Sequence, residues 1–278
     1  MTNRAVLVTG ASTGIGRATA LLLDEHGFTV YAGVRRREDA ESLGAEASQH
    51  LVPLMIDVSK PEEIAAAAAT IGAAGVPLVG LVNNAGIAVA TPLEFVPIDE
   101  FRRQLEVNVV GQLAVTQAVL PLLRESRGRI VNISSIGGLI AGSMLGPYNA
   151  SKFALEALTH VLRQELSPWG IEVIAIEPGV IATPIWATSG TTADRLIGAL
   201  PPEVTELYGA KIAGARRMAA NGTTGLAAIQ VARVIEKALT AKRPRTRYPV
   251  GTDAKIGAAL LARLPDRLRD RLLTSRRS

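Results

Sequence analysis

Short apolar runs alternate with helix-length segments along most of the chain, and this alternation restricts the possible folds more than any other feature. Seven runs have the character of strands, at residues 5–8, 28–34, 51–56, 78–82, 129–133, 172–176 and 248–250. The segments at residues 15–26, 62–74, 99–125, 147–167 and 226–241 have the length and composition of helices. Strands that are apolar without alternation are buried on both faces, as in a parallel sheet covered by helices. The sequence therefore predicts an α/β fold with one doubly wound, Rossmann-like parallel sheet.

The chain of 278 residues is long enough for one well-buried domain of this class. No linker or internal repeat divides it, so we expect a single domain over residues 1–278. Residues 184–225 are rich in Ala, Gly and Thr with scattered large apolar side chains. Such a stretch late in an α/β domain is typical of a substrate loop or lid. A surface pair of helices without a special role is the alternative for this segment.

Charge is unevenly distributed along the chain. The formal net charge is +5, but residues 242–278 hold eleven basic and three acidic residues, a net +8, which leaves −3 for the rest. A mildly acidic body with 4% aromatic residues lacks the basic surface and stacking rings of nucleic-acid-binding proteins, so we expect no nucleic-acid partner. The segment 256–278 predicts a basic amphipathic C-terminal helix that packs on the domain or on a partner subunit. Weak attachment to an anionic membrane is the alternative.

Several classes of site and location are disfavoured by composition. The chain has no cysteine, which excludes disulfides, thiolate metal sites and a cysteine nucleophile. His26, His50 and His160 lack the spacing of metal ligands, so we expect no metal. The N-terminus has too few consecutive apolar residues for a signal peptide. Residues 64–82 are uncharged but rich in Ala and Gly and broken near Pro77, which favours a helix and a strand over a membrane span. We therefore expect a cytoplasmic protein.

A glycine-rich turn separates the first predicted strand from the first predicted helix. It reads Thr9-Gly10-Ala11-Ser12-Thr13-Gly14-Ile15-Gly16. Glycines allow positive φ and close approach of the backbone to a ligand, and the N-terminus of the following helix offers free N–H groups to a phosphate. We interpret the turn as the pyrophosphate site for a dinucleotide.

Residues 10–14 also match G-x-S-x-G, the nucleophile elbow of α/β-hydrolases, with Ser12 as nucleophile and His160 as its base. That fold builds its oxyanion hole partly from an earlier strand, and no strand is predicted before residues 5–8. Gly16 also has no purpose in an elbow. The nucleotide interpretation is therefore favoured.

A second chemical pattern consists of Ser135, Tyr148 and Lys152. Tyr148 and Lys152 are four residues apart at the start of a predicted helix, so their side chains share a face. An ammonium group beside a phenol lowers the pKa of the phenol and makes tyrosine a usable acid or base. Ser135 follows the fifth strand, at the carboxyl edge where doubly wound sheets bind ligands.

In their order and spacing these motifs resemble the short-chain dehydrogenase/reductase family over about residues 4–183. The glycine turn resembles its TGxxxGxG motif, Asn83-Asn84-Ala85-Gly86 its NNAG motif, and Tyr148-Asn149-Ala150-Ser151-Lys152 its YxxxK motif. Residues 178–183 resemble its PGxxxT motif, and residues 174–177 are similar to its hydroxysteroid and retinol dehydrogenases.

The resemblance implies NAD(P)-dependent hydride transfer between an alcohol and a ketone or aldehyde. It implies that Tyr148 exchanges a proton with the substrate oxygen and that Ser135 holds that oxygen. Lys152 would bind the nicotinamide ribose and lower the pKa of Tyr148, and Asn108 would position a water in a relay to Lys152. Because all four catalytic positions are filled, an oxidoreductase is favoured over the alternative, a catalytically idle dinucleotide-binding sensor or scaffold.

The same resemblance implies a set of cofactor contacts. They involve Gly10, Ser12, Thr13, Gly14, Ile15, Gly16, Asp57, Val58, Asn84, Ala85, Gly86, Tyr148, Lys152, Pro178, Gly179, Ile181 and Thr183. Asp57 and Val58 would hold the adenine, and Thr183 would hold the nicotinamide carboxamide. Members of the family are commonly dimers or tetramers, so a homodimer or homotetramer is implied.

The end of the second strand predicts NADP(H) as the preferred cofactor, with NAD(H) as the alternative. In dinucleotide folds an acidic residue there binds the ribose 2′-OH and selects NAD, whereas an arginine accommodates the 2′-phosphate. Here Val34 takes the acidic position, and Arg35 follows with its planar donor fork. Thr13 departs from the second basic residue that NADP-preferring relatives often carry in the turn.

The residues around the predicted site indicate an apolar substrate, such as a steroid, retinoid, lipid or aromatic carbonyl compound. Ligand pockets are in general lined by apolar side chains. The apolar residues close to Tyr148 or Thr183 in sequence are Leu139, Ile140, Met144, Leu145, Ile185 and Trp186.

Overall fold

A computed structural model describes residues 4–222 and 224–275 of the chain. Within these residues seven parallel strands form one sheet in the order β3-β2-β1-β4-β5-β6-β9. The strands are β1 (Ala5–Val8), β2 (Thr29–Val34), β3 (Leu51–Met55), β4 (Leu78–Asn83), β5 (Arg129–Ile133), β6 (Glu172–Pro178) and β9 (Arg247–Val250). Leu7 of β1 lies between Tyr31 of β2 and Leu81 of β4. The predicted doubly wound α/β fold is confirmed.

Helices cover both faces of this sheet. They are α1 (Gly14–Glu25), α2 (Arg37–Glu46), α3 (Pro61–Ala73), α4 (Ile98–Leu105), α5 (Gly111–Ser126), α6 (Gly146–Leu166), α7 (Pro184–Gly198), α8 (Glu203–Gly222), α9 (Ala228–Thr240), α10 (Thr252–Ala259) and α11 (Asp266–Ser275). Leu23 of α1 and Ile235 of α9 are buried in the core on one face. Ile71 of α3 and Leu123 of α5 are buried in the core on the other. Each such aliphatic side chain contributes about 1.5–3 kcal/mol by leaving water.

Helix α2 was not among the predicted elements. Leu43 is its only buried residue, so it lacks the apolar stripe from which a helix is normally recognised. Its start is stabilised by charge, because Glu38 and Asp39 lie in the first turn, where the helix dipole favours acidic residues.

The helix predicted over residues 99–125 is interrupted. α4 is followed by a π-helical turn at Glu106–Val110, and α5 begins at Gly111. By length and composition the stretch Ile98–Ser126 is the one helix among the described residues that could cross a membrane. Its Val115, Val119 and Leu123 are buried against the sheet, as in the core helix of a domain.

In the segment 184–225 the described residues form two helices, α7 and α8, and not an irregular loop. β7 (Ile181–Ala182) pairs with β8 (Leu226–Ala227), which joins the two ends of the segment. Between them, Val204 and Ile212 of α8 pack with Met144 in a small apolar cluster. The local conformation is therefore that of the alternative interpretation, a pair of helices. The first turn of α7 lies at the site described below.

The prediction of one C-terminal helix over residues 256–278 is wrong. α10 ends at Ala259 and α11 starts at Asp266, with a 3₁₀ turn at Leu261–Arg263 between them. Pro265 explains the break, because proline cannot continue a helix. The segment packs on the domain, since a Cβ placed on Gly257 would lie 2.7 Å from Cδ1 of Ile136. Residues 276–278 lie outside the described part of the chain.

Candidate active site

The strand order reverses between β1 and β4, and a ligand crevice is expected at the carboxyl ends of these strands. A cleft of about 1000 Å³, open to solvent, lies there and extends from Arg35 and Asp57 to Gly86. It continues into a second space of about 700 Å³ that reaches Ser135, Tyr148 and Lys152.

The structure brings most of the predicted cofactor residues to these two spaces. The first is lined by Gly10, Ser12, Thr13, Arg35, Asp57, Val58, Asn84, Ala85 and Gly86. The second is lined by Ile15, Tyr148, Lys152, Pro178, Gly179, Ile181 and Thr183. Gly14 and Gly16 shape the turn beneath the cleft. Other lining residues were not predicted from the sequence, including Ile56, Ile87, Arg103, Val107, Thr188 and Thr192. Ile56 is the last residue of a predicted strand and could have been found, whereas α7 residues carry no such signal.

The glycine turn is held against the end of β4. The side-chain amide of Asn84 donates to the backbone oxygens of Thr9 and Gly10, each at 3.0 Å. Gly10 has a φ of +66°, a conformation that other residues rarely adopt. A Cβ on Gly16 would lie 2.2 Å from the Gly10 oxygen, so only glycine permits α1 to start this close to the turn.

The turn and cleft suit a dinucleotide. Thr13 precedes α1 in an extended conformation and makes no side-chain capping hydrogen bond, which leaves the first N–H groups of α1 without a side-chain cap. An anion such as a pyrophosphate is stabilised at that position by these N–H groups and by the helix dipole.

Substitution Gly16→Ala is expected to weaken NADPH binding at least tenfold and to lower the free energy of unfolding by about 1–3 kcal/mol, the range typical of overpacking. The added methyl group meets a backbone oxygen that cannot rotate away. Fluorescence titration and urea unfolding measure the two effects. Gly44→Ala is the matched control, because nothing lies within 4 Å of its Cβ position. Unchanged NADPH affinity in Gly16→Ala would contradict this account of the turn.

The end of β2 carries no carboxylate. Val34 is buried and Arg35 is exposed, and both line the cleft. The neighbouring Arg36 is engaged elsewhere, with two hydrogen bonds of 2.8 and 2.9 Å to Asp39. Burial acts to raise the pKa of Asp57, but hydrogen bonds from Ser59 and the charge of Arg35 outweigh it and hold that pKa below its usual value. Asp57 and the Arg35 guanidinium, whose charges interact, therefore stand at this end of the cleft.

Tyr148, Ser135 and Lys152 meet where β5 ends and α6 begins. All three are buried, with Tyr148 8% and Lys152 5% exposed. Nζ of Lys152 donates to the Ile133 oxygen at 2.7 Å and lies 5.8 Å from the centre of the Tyr148 ring. The Ser135 Oγ accepts a hydrogen bond from the Gly137 N–H at 3.0 Å. The side chains predicted to act together are therefore neighbours.

The pKa of Tyr148 is not lowered, as was expected, but raised. Burial raises the pKa of Tyr148, and a hydrogen bond with Ser135 opposes this only in part. Burial also lowers the pKa of Lys152 to about 8, with the charge of Glu156 acting in the other direction. The reason for the difference is desolvation, which disfavours the charged form of both groups and which residue spacing does not reveal.

Asn108 lies in the π-helical turn and is fully buried. Its amide group exchanges two hydrogen bonds with the backbone of Ile87, at 2.9 and 3.0 Å, and donates to the Ser151 Oγ at 3.0 Å. The Ser151 hydroxyl in turn donates to the Tyr148 backbone oxygen at 2.7 Å. Asn108 thus joins the segment after β4 to the first turns of α6. Its role toward a water in the relay stays a prediction.

An apolar cavity, open to solvent, lies on the other side of Ser135 and Tyr148. Of the residues predicted to surround a substrate, Ile140, Leu145 and Trp186 line it, and the Trp186 ring centre lies 6.5 Å from that of Tyr148. Met144 lines a neighbouring cavity, Ile185 lies on the cofactor side, and Leu139 is not among the lining residues of the cavity. The sequence analysis missed Leu261 and Leu273, which belong to the C-terminal segment.

The hydrolase arrangement has no support in these contacts. In the described part of the chain no hydrogen bond joins Ser12 to His160, and His160 instead contacts Arg247 on the neighbouring strand β9.

Comparison with known proteins decides between the classes considered. Residues 4–194 match the model of a family described as short chain dehydrogenase. The chain belongs to the short-chain dehydrogenase family. Mouse retinol dehydrogenase 5 is 38% identical over 280 residues, which are 97% of this chain and 87% of the relative. Bovine 17-beta-hydroxysteroid dehydrogenase type 6 is 37% identical over 283 residues, with 97% and 87% covered.

Solved structures of short-chain dehydrogenases are similar along the whole fold. A Burkholderia cenocepacia short-chain dehydrogenase in complex with NADP is 28% identical with a TM-score of 0.76, and the similarity covers 98% of this chain and 99% of that one. The Brucella melitensis 3-ketoacyl-(acyl-carrier-protein) reductase complexed with NADH is 25% identical with a TM-score of 0.73, covering 89% and 96%. This short-chain dehydrogenase is therefore an oxidoreductase that acts on CH–OH groups with NAD(P), and the resemblance to retinol and hydroxysteroid dehydrogenases is confirmed.

Proposed function

We propose that this chain interconverts an apolar alcohol and its ketone or aldehyde with NADP(H), and that Tyr148 is the proton donor and acceptor. One observation carries the proposal. Ser135 and Tyr148 stand at the junction of the dinucleotide cleft and the apolar cavity, so they face both spaces at once. A proton carried by Tyr148 is thereby within reach of a substrate whose reacting carbon faces the cofactor.

The roles of the protein groups follow from their positions. A bound nicotinamide supplies or accepts the hydride. In the reduction direction the Tyr148 hydroxyl gives its proton to the carbonyl oxygen as that oxygen gains negative charge. Ser135 donates to the same oxygen and stabilises its charge. The Lys152 ammonium favours the phenolate that remains, and burial of the three side chains keeps competing water away.

Preference for NADP(H) is supported by the end of β2. A buried Val34 offers neither a hydrogen bond to a ribose hydroxyl nor repulsion to a phosphate. Arg35 lines the cleft, whereas the guanidinium of Arg36 is taken up by Asp39. Arg35 is thus the basic group available to a 2′-phosphate at the end of β2.

Substitution Arg35→Ala is expected to reduce the ratio of kcat/KM for NADPH to that for NADH by about 10- to 150-fold. This range corresponds to one charged hydrogen-bonded contact of about 1.5–3 kcal/mol. The loss shrinks at high salt because Arg35 is exposed. Arg37→Ala, which removes an exposed arginine at the start of α2, is the control. Equal kcat/KM values for NADPH and NADH in wild type would contradict the preference for NADP(H). An unchanged ratio in Arg35→Ala would contradict the role of Arg35.

The apolar substrate class is supported by the cavity beside Tyr148. Besides Ser135, Tyr148, Asn149 and Asp253, its walls come from apolar residues and glycines of four parts of the chain: the segment before α6, residues 179–180, the α7–α8 pair and the C-terminal helices. A screen of NADPH oxidation with ketones and aldehydes tests the assignment. We expect hydrophobic carbonyl compounds to give the highest kcat/KM. Far higher values with sugars or small polar acids would overturn the substrate class while leaving the reaction class standing.

A further inference from the structure

A group of buried charges lies next to Lys152 and outside the lining of the clefts. Glu156 follows Lys152 by four residues on α6, so the two side chains occupy one face of that helix. Glu177 on β6 and Arg247 on β9 reach the same region. Glu156 is 6% exposed and Glu177 is 1% exposed, burial that carboxylates tolerate only when they are paired.

Arg247 joins the two carboxylates. Its Nη2 donates to the Glu156 Oε2 at 2.7 Å, and its Nη1 donates to the Glu177 Oε1. The second oxygen of Glu156 is buried and makes no hydrogen bond with any described residue. The Glu156 carboxylate is therefore anchored at one oxygen only.

Two carboxylates face one guanidinium in direct contact, and the charge of Glu156 also acts on Lys152 and on Arg163. Burial and the repulsion of Glu156 raise the pKa of Glu177 to about 7, and Arg247 acts against them. For Lys152, Glu156 is the acidic group whose charge opposes the effect of burial.

Other groups around Lys152 do not replace the negative charge of Glu156. From α6 itself the charged neighbours are His160 and Arg163, which are basic, and Glu172 on β6 acts on Arg163. β5 presents the neutral backbone oxygen of Ile133 to Nζ. The π-helical turn and α4 present the uncharged amides of Asn108 and Gln104, both of which contact Ser151.

We propose that Glu156 is a positioning residue for the reaction: its buried carboxylate, held by Arg247, keeps Lys152 in the ammonium form. The inference rests on the proposed function, because it acts through Lys152 on the proton exchange of Tyr148. Without Glu156, burial is uncompensated and Lys152 releases its proton within the neutral pH range. The phenolate then loses its neighbouring positive charge, and Tyr148 becomes a poorer proton donor.

The first test titrates Lys152 directly and needs neither cofactor nor substrate. The protein is labelled with ¹³C at the lysine Cε, and the Lys152 signal is assigned by its absence in Lys152→Arg. In Glu156→Gln its titration midpoint is expected to fall by about 1–3 pH units, the effect of losing one nearby opposite charge. Glu156→Asp, which keeps the charge, is expected to restore most of the wild-type midpoint. An unchanged midpoint in Glu156→Gln overturns the proposal.

The second test is the pH profile of kcat/KM for carbonyl reduction with NADPH. The loss of activity in Glu156→Gln relative to wild type is expected to be greater at pH 8 than at pH 6, by about fivefold or more, because the ammonium form falls tenfold for each pH unit above its midpoint. Glu165→Gln, on an exposed part of the same helix, is the control. A loss of equal size at every pH indicates a merely structural role and contradicts the proposal.

Failure of the variant to fold and failure of the proposed function can each be distinguished from failure of this proposal. Should Glu156→Gln fail to fold, Glu156→Ser removes the charge without placing amide N–H groups against Arg247 and gives the same predictions. Should the wild-type enzyme reduce no carbonyl compound, the proposed function fails, but the Lys152 titration still decides whether Glu156 sets its charge.

Discussion

Tyr148→Phe lowers kcat by about 10²–10⁴-fold in both reaction directions, while the Kd for NADPH changes little. The size is that of a lost general acid or base. Phenylalanine fills the same buried space, so the wall shared by the cleft and the cavity stays intact and only the exchangeable proton is removed. Steady-state kinetics with a substrate from the screen and fluorescence titration with NADPH measure the two quantities.

The control for this result is Tyr31→Phe, the same chemical change in the core between β2 and helices α3 and α5. It is expected to leave kcat within about twofold of wild type, since surface and core changes away from the chemistry act on stability. Full turnover in Tyr148→Phe would show that another group moves the proton.

Arg247→Met lowers the free energy of unfolding by about 3 kcal/mol at pH 8. Removing one partner from a buried ionic group leaves the other charges uncompensated and typically costs about 3–5 kcal/mol. The lower end applies because the Arg247 side chain is 30% exposed, whereas the side chains of the carboxylates Glu156 and Glu177 are 7% and 1% exposed. Urea unfolding measures the change.

The effect of Arg247→Met depends on pH with a defined sign. The pKa of Glu177 is raised to about 7 in the folded chain, so wild type loses stability as pH rises from the usual carboxyl pKa to about 7. Without Arg247 that pKa rises further and the loss continues above pH 7. We therefore expect a smaller destabilisation at pH 5.5 than at pH 8. Arg245→Met, an exposed arginine just before β9, is the control and is expected to change little at either pH. Equal destabilisation by Arg247→Met at both values would contradict the charge account.

The strands at the centre of the sheet could be predicted because each is apolar without alternation, a pattern typical of burial on both faces. Leu7, Leu81 and Ile130 are fully buried in adjacent strands and illustrate the point. α2 could not be predicted in the same way, because Leu43 is its only buried residue. The break between α10 and α11 could have been predicted from Pro265. The prediction of a single C-terminal helix did not take this proline into account.

The candidate site was predictable as far as it depends on strand ends and helix starts. Arg35, Asp57, Gly86 and Ser135 each lie just beyond a strand, and a parallel sheet brings such residues to one edge. Contacts between distant segments carry no comparable signal. Leu273 reaches the apolar cavity from the end of the chain.

The pKa values of the site residues also could not be predicted from sequence spacing. The spacing of Tyr148 and Lys152 indicates that they are neighbours, and the structure agrees. The pKa of Tyr148 depends on burial and on Ser135, and the pKa of Lys152 depends on burial and on Glu156 of the same helix. Glu177 and Arg247 lie near this helix because β6 pairs with β9, with Ile176 beside Tyr248. Sequence spacing does not reveal this pairing.

The most direct test of the central claim follows the hydride itself. Wild-type enzyme is incubated with NADPH deuterated at C4 of the nicotinamide, on each face in turn, and with a hydrophobic ketone, and the alcohol product is analysed by mass spectrometry. We expect deuterium from one face only, bound to the carbinol carbon, and product formation that falls about 10²–10⁴-fold in Tyr148→Phe. Alcohol without deuterium from either face, or equal product from both enzymes, would contradict the account.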